Sequence, residues 1–308
     1  MPALTDVPGL RVGHVHDAAA QTGCTVILAP DGCVGGVDVR GGAPGTRETD
    51  LLDPTATVSV VHAIALCGGS AFGRAAATGV MQWLAERGIG FPTAARPVPI
   101  VPAAVIYDLA VGRPEFPDAA MGYAACAAAA ASFGEGRVGA GIGATVGKLA
   151  GVAAAMPGGV GTWSEILADG TVVAALAVTN AVGDVVDAAG RILAGGRGPD
   201  GAFVDSMLLL RSPQVQAGFA ALLGQNTTLA VVATDARLTK AETTKLAQMA
   251  HDGLARSIRP CHTPLDGDTV FALATGSRPL VHLAVLGSIA ADVLSRAVER
   301  SVRSSVHR

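Results

Sequence analysis

The run Val58–Leu66, VSVVHAIAL, is nearly all apolar. A strand with one face in water alternates apolar and polar side chains. A strand without that alternation suits a sheet covered on both faces. Only 4% of the 308 residues are aromatic although 50% are hydrophobic, so the core must be packed with Ala, Val, Leu and Ile. The 40 glycines imply many tight turns and close backbone approaches, and their lack of a period excludes collagen.

Other segments fit the same architecture. Thr25–Ala29, a turn at Asp31-Gly32 and Cys33–Val39 read as a hairpin. After Val58–Leu66, the step Cys67-Gly68-Gly69-Ser70 leads to a helix from Ala71 to about Arg87, with Ser70 as its cap. Val98–Leu109 reads as extended, and Asp118 caps a small-residue helix running to about Phe133. The clearest hairpin joins Gly158–Leu167 to Thr171–Thr179 across Asp169-Gly170. Residues 195–226 change character and mark an exposed boundary, with Ser206–Leu223 partly helical. Then follow strand Thr227–Ala233, helix Thr239–Ser257 with Lys240, Glu242 and Lys245 on its polar side, strand Thr269–Ala274, and helix Pro279–Val302. The tail RSVRSSVHR reads as a solvated terminus. Strands that meet through both hairpins and helical crossovers predict an α/β fold, with sheets of mixed or antiparallel pairing covered by helices.

Several function classes are excluded at this level. Net charge is −3 with no basic stripe, which argues against a nucleic-acid partner. The Ala-rich run 119–131 is too short and too weakly hydrophobic to span a membrane, and the N-terminus has no signal-peptide pattern. The five cysteines are scattered, with no C-x-x-C, and read as reduced thiols of a cytoplasmic protein; only Cys24 and Cys33 offer a pairing under oxidising conditions. His14-x-His16 is a metal half-site at most, so no metal is expected. GRVGAGIGATVGKLAG, residues 136–151, fails a phosphate-binding Walker pattern at Ile142 and Leu149. It fits only a loosened dinucleotide fingerprint at Gly139, Gly141 and Ala144. A nucleotide- or phosphate-binding protein is therefore the alternative reading, and no cofactor is expected.

Oxygen nucleophiles and carboxylates occur between residues 226 and 271. Asn226-Thr227-Thr228 opens one apolar run, and Asp266-Gly267-Asp268 opens another. Asn180 ends a strand, and Lys148 is the only charge between Val138 and Met156. Individually, Thr227 reads as an ordinary strand residue, Asp-Gly-Asp and Asn180 as turn formers, Lys148 as a solvated loop cation and Tyr107 as a core aromatic.

Together the blocks form a more specific pattern. GLRVGHVHD, TGCTVIL, VDVRGGAPGTRETDLLDP, CGGSAFG, GRVGAGIGATVGKLAG, VTNAVGDVVD, NTTLAVVATDARLTK and PLDGDTVFALATG occur in this order over nearly the whole chain. The pattern resembles the DmpA-like peptidases: L-aminopeptidase/D-esterases, β-peptidyl aminopeptidases and nylon-oligomer hydrolases. The resemblance implies a four-layer αββα fold of the N-terminal-nucleophile-hydrolase kind. It also implies self-cleavage at Asn226–Thr227, giving an α chain of residues 1–226 and a β chain of residues 227–308. Thr227 in place of serine, and Asp266-x-Asp268 in place of a Ser-x-Glu pair, resemble the nylon-oligomer branch. By this resemblance Thr227 is the nucleophile, Asp266 and Asp268 orient it, and Asn180 donates to the oxyanion. Lys148 then offsets carboxylate charge and Tyr107 contacts the substrate. The implied substrate is a small peptide or an oligoamide such as a 6-aminohexanoate oligomer, and the implied assembly is a homo-oligomer. An inactive homologue of the same fold is a further alternative.

Overall fold

A computed structural model describes residues 1–213, 226–280 and 282–306. Nine strands form one continuous sheet: β1 (Arg11–Asp17), β2 (Thr22–Val39), β3 (Thr46–Arg47), β4 (Val60–Cys67), β5 (Ala103–Val105), β6 (Gly159–Ile166), β7 (Val172–Asn180), β8 (Thr227–Ala236) and β9 (Thr269–Arg278). Their order is β3-β5-β4-β2-β9-β8-β7-β6, with β1 also on β2. β8/β9 and β4/β5 are parallel, and the remaining pairs are antiparallel.

The sheet folds over on itself, because β2 belongs to both halves. Its first half pairs with β1 and β4, and its second half pairs with β9. Between Leu28 and Cys33 the register against β4 shifts, with Gly32 at φ +78°. The hairpin expected at Asp31-Gly32 is therefore a bulge inside one long strand. β1 occupies the edge where a returning arm would have paired, and the bulge supplies the bend.

Alternation along each strand then builds the layers. Ile27, Ile64 and Leu66 of one half meet Leu176, Val178, Leu229, Val231 and Phe271 of the other in an inner seam. Each such fully buried side chain contributes roughly 1.5–3 kcal/mol. The intervening residues Val26, Ala63 and Ala65 face α1 (Ala76–Ala85) and α2 (Ala119–Ala127). Ala175, Ala230, Val232 and Val270 face α3 (Lys240–Ser257) and α4 (Leu283–Val306). The result is helix, sheet, sheet, helix: the four-layer sandwich.

Local signals explain several ends. Thr239 and Glu242 form a reciprocal capping box at the start of α3. Asp118 accepts the Met121 N–H at 2.9 Å and starts α2, which stops at Ala127, short of Phe133. Ser70 makes no side-chain cap. A 3-10 turn, Ser70–Ala75, follows Gly69, and the Asp108 carboxylate takes the Gly69 N–H at 2.6 Å instead. Val98–Leu109 is a strand only at Ala103–Val105, with Pro99 and Pro102 unable to donate to a ladder. Lys240 is buried rather than on a polar face; its ammonium donates to the carbonyls of Leu51, Ala56 and Val58. Pro279 precedes α4, which begins at Leu283 and runs through the supposed tail to Val306, burying Ser301, Val302 and Ser305. Ser206–Leu209 is a single helical turn; residues 214–223 of the segment expected to be partly helical lie outside the described residues. Cys24 and Cys33 sit on the same strand, and all five cysteines are free.

Candidate active site

β7 and β8 end together. Thr227, the first residue of β8, is the register partner of Asn180, the last residue of β7. Asn226 bridges Asp266 on the other side. The pairing that continues β8 into the sheet thus places Asn180, the Asn226–Thr227 bond and the Asp-Gly-Asp turn side by side. All of these residues are buried.

The Asn226 carbonyl receives two donors. The Thr227 hydroxyl forms a very short contact to it, and the Gly267 N–H donates at 3.0 Å. Gly267 presses on Thr227 so closely that a Cβ there would lie 2.7 Å from Thr227 Oγ1 and 2.7 Å from the Ala43 carbonyl oxygen. The segment 40–43 buttresses the turn: Arg40 N–H donates to the Asp268 carbonyl at 3.0 Å and Ala43 N–H to the Asp266 carbonyl at 2.8 Å.

The two carboxylates hold different groups. Asp268 Oδ1 accepts the Thr228 N–H at 2.7 Å, while its Oδ2 accepts both the backbone N–H and the Nδ1 of His262 at 2.9 Å each. Asp266 accepts the Val182 N–H at 3.4 Å and the hydroxyl of Thr263. Burial, and then the neighbouring Asp268, push the Asp266 carboxyl up to about 6.

Lys148 is buried, contrary to the usual solvated loop lysine. It donates to Asn180 Oδ1 at 2.7 Å and to the Asn180 carbonyl at 3.1 Å. Burial lowers its ammonium to about 7, against the pull of Asp266 and Asp108. Asn180 Oδ1 also accepts the Thr145 N–H at 3.0 Å, and its amide nitrogen donates to the Tyr107 carbonyl at 3.2 Å. Tyr107 reaches this cluster through its backbone.

The cluster contains groups that sequence reasoning missed. His262, Thr263 and Asp108 carry no motif, and Gly267 reads only as the middle of a turn. Asp108 is buried with its carboxyl pushed up to about 6 by burial, and it adds negative charge near Lys148. The glycines at 139–143 serve packing rather than phosphate binding. A Cβ at Gly141 would lie 2.5 Å from the Val160 nitrogen, and one at Gly143 2.0 Å from the Gln21 carbonyl oxygen. The segment is a buried 3-10 turn, not a strand-to-helix step. Among the described residues no group of His, Cys, Asp and Glu side chains is placed to hold a metal ion, and no helix is long and apolar enough to cross a membrane.

The architecture is that of the Ntn hydrolases. An L-aminopeptidase D-Ala-esterase/amidase from Ochrobactrum anthropi, described as a prototype of the serine aminopeptidases and a new variant of the Ntn hydrolase fold, superposes with a TM-score of 0.73 at 20% identity, covering 99% of this chain and 86% of that one. A β-aminopeptidase from a Burkholderia species gives a TM-score of 0.69 at 26% identity, over 99% and 88% of the two chains. The family model of peptidase family S58 matches residues 2–308, and the chain belongs to that family. An uncharacterized aminopeptidase of Mycobacterium tuberculosis is 47% identical over 97% of this chain and 92% of its own length. A 6-aminohexanoate-oligomer endohydrolase of a Kocuria species is 33% identical over 95% of this chain and 84% of its own. The protein is a hydrolase of amide bonds.

Proposed function

We propose that this hydrolase matures by cutting its own Asn226–Thr227 bond and then uses Thr227 as an N-terminal nucleophile. The observation that carries this reading is the pair of donors on the Asn226 carbonyl, the Thr227 hydroxyl and the Gly267 N–H. Attack of Thr227 Oγ1 on the Asn226 carbonyl carbon places negative charge on the carbonyl oxygen, where the Gly267 N–H stabilises it. The C–N bond breaks, the hydroxyl proton ends on the threonine nitrogen, and an ester links Asn226 to Thr227 Oγ1. Water hydrolyses that ester, leaving a carboxylate on Asn226 and a free α-amine on Thr227.

In the mature form that amine is the base. An α-amine titrates near 7.7–8.0 in the absence of perturbation, so about a tenth or more of it is neutral at pH 7. It takes the proton of its own hydroxyl as Oγ1 attacks a substrate amide, then passes it to the leaving amine. Water releases the acyl group. Asp268 fixes the backbone beside the nucleophile through Thr228, and Asp266 supplies the second carboxylate. One N–H of the Asn180 amide is held by Tyr107, and the other is its contribution to the oxyanion. Lys148 orients Asn180 and offsets carboxylate charge, and Tyr107 borders the substrate.

The Thr227 and Asp-x-Asp choice favours small peptides or amino-acid oligomers of the 6-aminohexanoate kind. We assign a cytoplasmic, homo-oligomeric enzyme made of residues 1–226 and 227–308. N-terminal sequencing of the purified protein tests the reading: a fragment beginning Thr-Thr-Leu is expected, and T227A is expected to stay full-length and inactive. A wild-type chain that stays uncut while it hydrolyses amides would refute it.

A further inference from the structure

We infer that His262 is a positioning residue of this site, acting through Asp268 on the strand that carries Thr227. This inference rests on the self-cleaving reading above. Asp268 is clamped between two partners: its Oδ2 takes two donors from His262 at 2.9 Å, and its Oδ1 takes the Thr228 N–H at 2.7 Å. The carboxylate therefore has no rotation left that keeps all three bonds. The residue after the nucleophile is tied to the imidazole through one rigid group.

The backbone of His262 is itself specialised. It sits at φ +55°, the left-handed region that few side chains adopt and that His and Asn tolerate better than most. That conformation turns both the amide N–H and the ring Nδ1 onto the same oxygen.

The charges around the ring decide its state. Asp268 faces it at 2.9 Å, Cys261 precedes it, and His251 of α3 meets it edge-on with ring centroids 4.7 Å apart. Behind His251 lie Asp38, whose carbonyl oxygen is 2.9 Å from His251 Nε2, and Arg40. Burial, first of all, lowers His251 to about 4, so it stands there as a neutral ring. Burial is the largest single effect on His262 and opposes its charge, but the hydrogen bonds and charges of Asp268 and Cys261 together outweigh it and hold the imidazolium up to about 10. A cation thus stands against the Asp268 carboxylate.

The test uses the full-length chain and self-cleavage as its readout, so no substrate need be known. Self-cleavage rates of wild type, H262A and H262N are followed on denaturing gels from about pH 4 to about pH 9. Asn keeps the left-handed backbone and a donor at the Nδ1 position but carries no charge. H262A, which loses the side-chain donor, is expected to cut at least about tenfold more slowly. H262N is expected to cut within about threefold of wild type at its optimum, with the acid limb of its pH profile moved to higher pH because Asp268 has lost its cation. A merely structural histidine would not move that limb when Asn restores the bond. H262A cutting at the wild-type rate, or an H262N acid limb that superimposes on the wild-type one, overturns the inference. Wild type that never cuts overturns the self-cleaving reading itself, a result distinct from wild type and variants cutting alike. Should H262A fail to fold, the H262N pH profile decides alone.

Discussion

Asn180 and Thr227 face each other as the terminal register pair of the β7–β8 ladder. In the self-cleaving reading, one residue brings the nucleophile and the other its oxyanion donor, and strand pairing sets their separation. N180A is therefore expected to fold, since β7 is held by two neighbours from Val173 to Thr179. Its kcat should fall by about 10²–10³ with little change in KM, the usual cost of one oxyanion donor. Steady-state kinetics on an amino-acid p-nitroanilide or a 6-aminohexanoate oligomer check this.

Lys148 gives stability a pH dependence of definite sign. Its folded pKa, near 7, lies below its ordinary 10.5. Between these values the unfolded chain binds a proton that the folded chain does not, so this residue makes stability rise with pH across that window. Below about 7 the cost of burying the charge is fully present. K148M in the uncut T227A background is expected to be flatter in urea-unfolding free energy from pH 7 to 10 than T227A alone, by up to about 1.4 kcal/mol per pH unit.

Gly267 has no room for a methyl group beside Thr227 Oγ1. G267A must displace either the Thr227 hydroxyl or the Ala43 carbonyl. Self-cleavage is expected to slow by about a hundredfold, since misplacement of a reacting group by an ångström costs that much. A time course on denaturing gels reads it directly, and a wild-type rate would show that the turn has slack.

Lys240 anchors the 50–58 loop through three backbone carbonyls while almost fully buried. K240M should cost about 1.5–3 kcal/mol, the range for losing charge-assisted bonds, here to half-buried carbonyls. Because the loop lies outside the β7–β8 site, kcat should be unchanged when urea unfolding shows the loss.

What the sequence made legible depended on how local each cause was. The β6–β7 hairpin was readable because Asp169-Gly170 and two alternating arms are all within one short segment. α3 was readable from its own periodicity. Asp31-Gly32 carries the same dipeptide signal, yet it bends a single strand, because β1 and not residues 33–39 takes the edge of Thr22–Leu28. No local signal encodes that choice. Lys148 shows the same limit from another side. Its buried acceptor, Asn180, lies 32 positions along the chain, and only the completed sheet brings the two together. The family pattern pointed to Thr227, Asp266 and Asp268, and the fold sets them side by side. It carried no hint of His262, whose contribution arises from a left-handed backbone and from a neighbour on α3.

The crossed pairing of β8 and β9 has a mechanical consequence for a chain cut before Thr227. β8 would be bonded on one side to β7, and β9 on one side to β2, both from the upstream piece. The downstream piece would be laced into the fabric along two separate seams. Releasing it would mean tearing both at once, together with the helix packing outside them. Such a molecule would melt as one body although it was two polypeptides, and the severed bond would leave no trace in its unfolding curve beyond a dependence on protein concentration.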